Sequence, residues 1–152
     1  MISDFSRRYF LKVLAAGAAT SAGALAGCSS GAANGQSETF GDINAGNVSA
    51  LSVDQIKAVP GAPAFVGRDS NGIYAMTTTC THQGCDLATG TITATFIQCG
   101  CHLSEFDYDG NVIMGPATQP LAHFKVDIAA DGTITIHGAT KVDASTRVPV
   151  TT

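Results

Sequence analysis

Two boxes decide the fold of this 152-residue chain: Cys80-Thr-His82-Gln-Gly-Cys85 and, thirteen residues later, Cys99-Gly-Cys101-His102-Leu-Ser104. Each box carries two cysteines and one histidine, which are ligand types of zinc and of iron–sulfur centres. A structural zinc site uses four ligands, so it would leave two of the six cysteines and histidines, and Ser104, without a role. Two thiolates with two imidazoles match a [2Fe–2S] centre of mixed coordination. The boxes therefore predict a metal centre and favour iron–sulfur chemistry over zinc.

Both boxes resemble those of the Rieske iron–sulfur proteins. The family's pattern is Cys-x-His-x-Gly-Cys followed by Cys-x-Cys-His-x-Ser, and every fixed position is matched in this sequence. The resemblance implies one [2Fe–2S] cluster that transfers a single electron. It assigns one iron to two cysteines and the other to two histidines, which in this sequence are Cys80 with Cys99 and His82 with His102.

Residues beside the ligands are expected to tune the reduction potential. By the resemblance, Ser104 donates its hydroxyl to a bridging sulfide of the cluster. Phe106 stands where high-potential members carry a tyrosine that bonds a ligand sulfur, so one potential-raising hydrogen bond is missing. Gln83 stands where quinol-oxidising relatives usually place a leucine. We therefore expect a potential below the top of the Rieske range of roughly −150 to +300 mV.

Two further features of the resemblance would hold the boxes in place. Cys85 and Cys101 would form the disulfide that ties the two loops together in the cytochrome bc-type branch of the family. The segment Gly115-Pro116-Ala117-Thr118-Gln119-Pro120 resembles the family's proline loop, which covers the cluster from the other side. Its two prolines restrict the backbone and its glycine permits a tight turn.

Residues 1–27 are interpreted as an export signal. Ser6-Arg7-Arg8-Tyr9-Phe10-Leu11-Lys12 forms a twin-arginine signature, and an uncharged Ala/Gly-rich stretch of fifteen residues follows. This stretch is shorter than the roughly 20 residues that span a bilayer, which argues against a transmembrane anchor. An uncleaved N-terminal anchor, which many Rieske subunits retain, is the alternative.

The signal ends in Leu25-Ala26-Gly27-Cys28, which resembles a bacterial lipobox. On this interpretation the signal is cleaved before Cys28, and that cysteine becomes the diacylated N-terminus; the alternative is a free cysteine. Residues 28–38 would then be a lipid anchor and a flexible tether, and residues 39–152 a Rieske domain. The twin-arginine route carries folded proteins, and a disulfide persists in an oxidising compartment. We therefore expect the protein on the periplasmic side of a bacterial membrane.

The net charge of the chain beyond the predicted signal limits the kinds of partner that it can bind. Beyond residue 27 the chain holds 5 basic and 11 acidic residues, a formal charge of −6. This acidic balance argues against nucleic acid as a partner and allows docking to a positively charged redox protein.

The sequence beyond the tether predicts an all-β fold. Two hairpins are expected, with strands Ala64–Val66 and Ile73–Met76 around Asp69-Ser-Asn-Gly72, and strands 122–128 and 133–137 around Asp131-Gly132. A strand over 91–97 and a short helical turn over 52–58 are also expected, and Asp109-Gly110-Asn111 marks a turn. The resemblance implies stacked antiparallel sheets with an inserted cluster-binding subdomain over about 77–120. His123 and His137 lie outside any motif and are interpreted as packing or surface residues.

These features favour an exported, membrane-tethered electron carrier: the iron–sulfur subunit of a quinol-oxidising cytochrome bc-type complex. Its partners would be quinol or cytochrome b, and a c-type cytochrome or another redox protein. A small Rieske subunit of a different exported oxidoreductase, as in arsenite oxidase, is the main alternative. A zinc-binding structural module is a further one. The ferredoxin of a ring-hydroxylating dioxygenase is disfavoured, because those ferredoxins are cytoplasmic and lack the second cysteine pair.

Overall fold

The computed structural model of the protein describes residues 39–150. The predicted signal (1–27), the lipid anchor at Cys28 and the tether (28–38) lie outside the described residues and stay predictions. Within residues 39–150, no helix is long and apolar enough to cross a membrane.

The part of the chain that the structure describes is all-β, as predicted, and contains ten strands and two short 3₁₀ turns. In chain order the strands are β1 (Asp42–Asn47), β2 (Gln55–Ala58), β3 (Ala64–Asp69), β4 (Gly72–Thr77), β5 (Thr91–Ile92), β6 (Ile97–Gln98), β7 (Glu105–Phe106), β8 (Val112–Met114), β9 (His123–Ile128) and β10 (Thr133–Val142). The 3₁₀ turns are Val48–Ala50 and Leu87–Thr89.

The strands form two antiparallel sheets. The larger sheet has the order β1-β10-β9-β4-β3-β2, and the smaller sheet has the order β5-β6-β7-β8. All four strands of the smaller sheet lie between β4 and β9 along the chain. The smaller sheet is therefore an insertion into the larger one; box one lies between β4 and β5, and box two connects β6 to β7.

Strand β4 separates two apolar cores. Its six residues are all buried, and successive side chains of a strand point to opposite faces. Ile73 and Ala75 pack with the inward residues of β9 and β10 in the core of the larger sheet. Tyr74 and Met76 pack instead with a second core, which contains Cys80 and other residues of the inserted segment. The metal-binding loops are thus built on the opposite face of a strand that the larger sheet already holds in place.

The predicted hairpins are confirmed. The β3–β4 turn is closed by Asp69, whose Oδ1 accepts hydrogen bonds from the backbone N–H groups of Asn71 (2.7 Å) and Gly72 (3.0 Å). β9 and β10 pair from Ile134 with Ile128 onward, and β10 extends beyond its predicted end.

Two local predictions are wrong. Residues 91–97 form two short strands, β5 and β6, because Thr93 reverses the chain: its N–H donates to the Phe96 carbonyl, and its Oγ1 accepts from the Phe96 N–H. Residues 52–58 form no helical turn. The Gln55 side chain does accept from the Ser52 N–H (3.1 Å), but Asp54 takes a φ of 60° and the chain enters β2, which pairs with β3. Strand pairing outweighs the local capping signal here.

Arg147, which follows β10, fastens the smaller sheet to the larger one. Its Nε donates to Asp69 in the β3–β4 hairpin (2.5 Å), and its Nη2 donates to Asp109 in the turn that follows β7. The guanidinium carbon lies 4.1 Å from the centroid of the Tyr74 ring. The backbone of Val148 pairs with Ile73 through two hydrogen bonds of 2.9 Å, which hold this segment against β4. A single side chain therefore bridges both sheets.

Candidate metal centre

The two boxes adopt the same closed turn. In box one the Cys80 N–H donates to the Cys85 carbonyl (2.8 Å), and the Gly84 N–H donates to the Cys80 carbonyl (2.9 Å). Gly84 has a φ of 76°, in the left-handed region that glycine adopts without strain. This conformation explains the glycine of box one.

Box two repeats these bonds with a different residue at the strained position. The Cys99 N–H donates to the Ser104 carbonyl (2.8 Å), and the Leu103 N–H donates to the Cys99 carbonyl (3.1 Å). Leu103 has a φ of 60°, and the residue is 59% exposed. A leucine in this region costs about 1–2 kcal/mol, and backbone strain of this kind concentrates at functional sites. Sequence reasoning missed Leu103, although aligning the two boxes places it at the position of Gly84.

Two free thiols lie together at the base of the turns. Cys80 and Cys99 are 2% and 1% exposed and lie in the same apolar core. Burial raises the pKa of Cys80, and Cys99 raises it further, whereas the backbone N–H groups of His82 and Gln83 lower it by donating to the sulfur. A bound cation reverses the effect of burial by stabilising thiolates. The pair thus has the burial, the proximity and the amide donors that a thiolate-bound metal requires.

The two histidines of the boxes also meet. The ring centroids of His82 and His102 are 4.7 Å apart, and the rings are perpendicular. The Nδ1 atom of His82 is buried and has no hydrogen-bond partner, which is costly for a buried polar atom. A metal ion would satisfy this nitrogen. The orphaned nitrogen and the two buried thiols show that the residues fit a cluster of mixed coordination.

The disulfide predicted between Cys85 and Cys101 is present, with the two Cα atoms 6.5 Å apart. The Sγ atoms of Cys85, Cys99 and Cys101 all lie within 4.8 Å of one another. Because two of these sulfurs are bonded to each other, they offer no thiolate to a metal. Only Cys80 and Cys99 supply thiolates within residues 39–150, which excludes an all-cysteine centre there.

The proline loop is tied to both boxes. A Cβ on Gly115 would lie 2.6 Å from the Ser104 Cα, so glycine permits the close approach to box two. The Ala117 N–H donates to the Ser104 Oγ (3.1 Å), and the Thr81 hydroxyl donates to the Gln119 carbonyl (2.6 Å). Sequence reasoning did not single out Thr81, because a lone threonine inside a motif carries no distinctive signal.

The remaining predicted site residues differ in exposure. Ser104 and Phe106 are fully buried, and Phe106 lies in the same core as the two free thiols. The Ser104 oxygen accepts from Ala117, so its hydroxyl proton is still available for a second partner. Gln83, which follows His82 directly, and Pro116 in the proline loop are both exposed.

Charge is sparse around the boxes. No lysine or arginine occurs between Arg68 and Lys125, and Asp86 is the only carboxylate between Asp69 and Glu105. Within the two boxes themselves no residue is an acid, a lysine or an arginine, and Asp86 directly follows box one.

Comparison with known proteins agrees with this geometry. The Rieske [2Fe-2S] domain family matches residues 42–125. The chain is 34% identical over 79 residues to the cytochrome b6-f complex iron-sulfur subunit of Synechococcus sp. (strain RCC307), covering 50% of this chain and 44% of the relative. It is 31% identical over 99 residues to the chloroplastic cytochrome b6-f complex iron-sulfur subunit of Bigelowiella natans, covering 61% of this chain and 38% of the relative.

A third relative is YhfW of Bacillus subtilis (strain 168), described as a Rieske 2Fe-2S iron-sulfur protein, with 35% identity over 89 residues, 58% of this chain and 16% of the relative. The matched segment thus spans less than half the length of each of these relatives. Among solved structures, a chain of the complex of reduced oxygenase and oxidised ferredoxin in carbazole 1,9a-dioxygenase is similar, with a TM-score of 0.52 and 28% identity. The match covers 67% of this chain and 97% of that chain.

The family match covers more than half of the chain, and the two sheets, the disulfide and the paired ligand types agree with it. Members of this family bind one [2Fe-2S] cluster and transfer electrons. The chain therefore belongs to the Rieske [2Fe-2S] domain family.

Proposed function

We propose that this protein is the iron–sulfur subunit of a quinol-oxidising complex of the cytochrome bc type, held at the periplasmic face of a bacterial membrane. The observation that carries the proposal is the Cys85–Cys101 disulfide between two Rieske boxes, because the resemblance links this disulfide to the bc-type branch. The similarity to two cytochrome b6-f iron-sulfur subunits supports it.

In this proposal Cys80 and Cys99 hold one iron and His82 and His102 the other. When bound, the cluster supplies one-electron chemistry. The thiols are buried whereas His102 is exposed, so a redox partner approaches from the histidine end. His82, whose buried Nδ1 has no hydrogen-bond partner, and His102 would each bind iron through one ring nitrogen, and the other ring nitrogen would remain available to exchange a proton with a partner. A quinol, which gives up protons together with electrons, would suit such a site.

Leu103, which follows His102, would provide an apolar contact for a partner at the histidine end of the site. The side chain is exposed although its backbone is strained, and no charged residue of box two competes with it. An exposed apolar side chain next to the histidines suits docking to the apolar mouth of a quinol site better than docking to a charged surface.

Gln83 and Phe106 favour a second candidate. They replace residues that the quinol-oxidising branch uses, and Phe106 is fully buried without a hydroxyl to donate. A small subunit of another exported oxidoreductase, as in arsenite oxidase, would tolerate both changes. The lipid anchor at Cys28 is compatible with either role; an uncleaved N-terminal anchor is the alternative to it.

Purification of the full chain from membranes of its host distinguishes the two roles. A co-purifying b-type cytochrome supports the proposal, and a molybdenum enzyme in its place contradicts it. Cys28→Ser should move the protein from the membrane to the soluble periplasmic fraction. Persistent membrane association of the Cys28→Ser protein after washing would favour the uncleaved anchor.

Phe106→Tyr tests the tuning of the cluster. A hydroxyl in the core shared with Cys80 and Cys99 can donate to a ligand sulfur and stabilise the reduced state. We expect a higher reduction potential by protein-film voltammetry, with Phe96→Tyr as the control at a half-buried position. An unchanged or lower potential for Phe106→Tyr would show that this position does not face the cluster.

A further inference from the structure

We propose that Cys99 and the Cys85–Cys101 disulfide form a thiol–disulfide exchange site: when no iron holds it, the Cys99 sulfur displaces Cys101 and joins Cys85. The exchange itself depends only on the positions of the three sulfurs. The protection of the site in the iron-loaded protein rests on the proposed role of Cys99 as a ligand.

The distances place a nucleophile beside its electrophile. The Sγ atoms of Cys85, Cys99 and Cys101 lie within 4.8 Å of one another, so the free thiol would have to close a gap of less than about 3 Å and turn into line with the S–S bond. The two backbone hydrogen bonds that close box two begin and end at Cys99 and hold it there. Cys80, the other free thiol of the described residues, does not belong to this group of three sulfurs.

The exchange is balanced without any outside reagent. The Cys99 thiolate attacks the Cys85 sulfur, a Cys85–Cys99 bond forms, and the Cys85–Cys101 bond breaks. The electron pair leaves on the Cys101 sulfur, which takes up a proton from water in place of the one that Cys99 lost. One disulfide and one thiol exist before and after, so nothing is oxidised or reduced overall.

Exposure selects the leaving sulfur. Cys101 is exposed whereas Cys99 is 1% exposed, so the departing thiolate at Cys101 is hydrated as it forms. Attack at Cys101 instead would close a ring between two cysteines that are separated by one residue, which opposes the preferred disulfide geometry. The product with the Cys85–Cys99 bond is therefore the one expected.

The exchange has a functional consequence. It converts a ligand of the cluster into a half of a disulfide and moves the free thiol to the surface. A chain that has lost its iron in an oxidising compartment would then keep this rearranged bond until a reductant restores the thiols. The site thus distinguishes a chain that still holds its cluster from one that has lost it.

Thiol mapping of the full chain tests the proposal. The purified protein is divided into an iron-loaded sample and a sample that is made cluster-free with a chelator under anaerobic conditions, and each receives a short pulse of N-ethylmaleimide. No trypsin site lies between Arg68 and Lys125, so all four cysteines of the boxes fall on one tryptic peptide. A protease that cleaves after Asp86 and Glu105 separates Cys85 from Cys101, and fragment ions then locate the label.

In the cluster-free sample we expect the label at Cys101 and a disulfide between Cys85 and Cys99, at a rate independent of protein concentration. Unlabelled Cys101 with an intact Cys85–Cys101 bond overturns the proposal. A Cys99–Cys101 bond with a labelled Cys85 also overturns it, because the leaving sulfur is then the wrong one.

Two matched variants distinguish loss of the exchange from loss of the fold. Cys80→Ser and Cys99→Ser each remove one buried thiol and one proposed ligand, so both are studied without a cluster. Cys80→Ser should still release Cys101, whereas Cys99→Ser should not, with circular dichroism reporting that both remain folded. Release of Cys101 in both variants overturns the proposal. Exchange in the iron-loaded wild-type protein would instead contradict the ligand role of Cys99, and thereby the proposed function, while leaving the exchange site intact.

Discussion

The larger and the smaller sheet are stabilised by different kinds of interaction. The strands of the larger sheet have four to ten residues and pair in long ladders, with alternate side chains in one apolar core. The strands of the smaller sheet have two or three residues, so pairing contributes little there. Its loops are held instead by a disulfide, by the closed turns of the boxes and by side-chain bonds from Thr81, Thr93 and Ser104.

The two sheets therefore differ in how they tolerate substitution: the larger sheet is the scaffold of the domain, and the smaller sheet and its loops form the candidate site. A regular apolar pattern tolerates exchanges of similar side chains, whereas a bond from one particular atom does not. Substitutions in the larger sheet should therefore affect the unfolding of the whole domain, and substitutions in the smaller sheet should act locally.

Ile136→Ala should have the largest effect on global stability. Ile136 is fully buried in β10, and truncation of such a residue costs about 2–5 kcal/mol of unfolding free energy. Denaturant titration followed by circular dichroism measures this change. Thr135→Ala, on the other face of the same strand, is the control and should cost less than about 1 kcal/mol. Equal costs at the two positions would contradict the core assigned to the larger sheet.

Replacement of both Cys85 and Cys101 by serine should destabilise the smaller sheet. Cross-linking a loop of this length, with 16 residues of separation, contributes about 3 kcal/mol, because it restricts the unfolded chain. Amide hydrogen exchange should accelerate in the boxes and much less in β9 and β10. Uniform acceleration across both sheets would show that they unfold as one unit and would remove the distinction between them.

A smaller effect on stability is expected from substitutions at the equivalent positions of the two boxes, Leu103 and Gly84. Leu103→Gly relieves the strained backbone but frees the unfolded chain, so stability should stay constant or rise by up to about 1 kcal/mol. Gly84→Ala, at the equivalent position, should cost about 1 kcal/mol through backbone strain alone, since its added Cβ would meet no atom within 4 Å. Electron transfer from the partner should slow in Leu103→Gly and not in Gly84→Ala. If Leu103→Gly destabilises the protein instead, the leucine packs structurally and is not presented to a partner.

The smallest expected effect is on the pH dependence of the free energy of unfolding, to which His137 and His123 should contribute in opposite directions. His137 lies between Asp42 and Asp127, at 2.8 Å from each, and hydrogen bonds to Asp42 first and Asp127 second raise its pKa. Stability from this histidine is complete below its unfolded pKa of about 6.5 and is lost as pH rises through the raised value. Burial lowers the pKa of His123, which donates to the Asp109 carbonyl, so its contribution is complete above about 6.5 and is lost as pH falls.

NMR titration of the two imidazoles checks the direction of each pKa shift. In a stability measurement, His137→Gln should remove the decline of stability at higher pH and leave the decline at lower pH. The first histidine reports on the outer edge of the larger sheet and the second on the junction between the sheets. A shift of the same sign at both sites would contradict this assignment.

The sequence was informative where a pattern repeats or a motif is specific. The turn signals at Asp69–Gly72 and Asp131-Gly132 predicted the two hairpins, and the eight matched positions of the boxes carried the resemblance that implied the family and the disulfide. Prediction failed where a local signal competed with tertiary pairing. The capping pair Ser52 and Gln55 forms its hydrogen bond but not its helix, because β3 offers β2 a full ladder. The alternation over 91–97 concealed a turn that depends on one side chain, Thr93.

The sequence predicted the all-β fold class from strand segments between turn signals, and its resemblance to the Rieske family implied the cofactor and the cysteine pairing, because such motifs and turn signals are local properties of a chain. Only the tertiary structure showed that Leu103 adopts a φ in the left-handed region with the residue exposed, that Arg147 bridges the two sheets, and that Cys99 lies beside the disulfide. Arg147 contacts Asp69 across 78 positions of sequence, Cys99 lies beside Cys85 across 14, and the φ of Leu103 belongs to the closed turn of box two. No local pattern encodes such proximity, because it arises when the two sheets pack against each other.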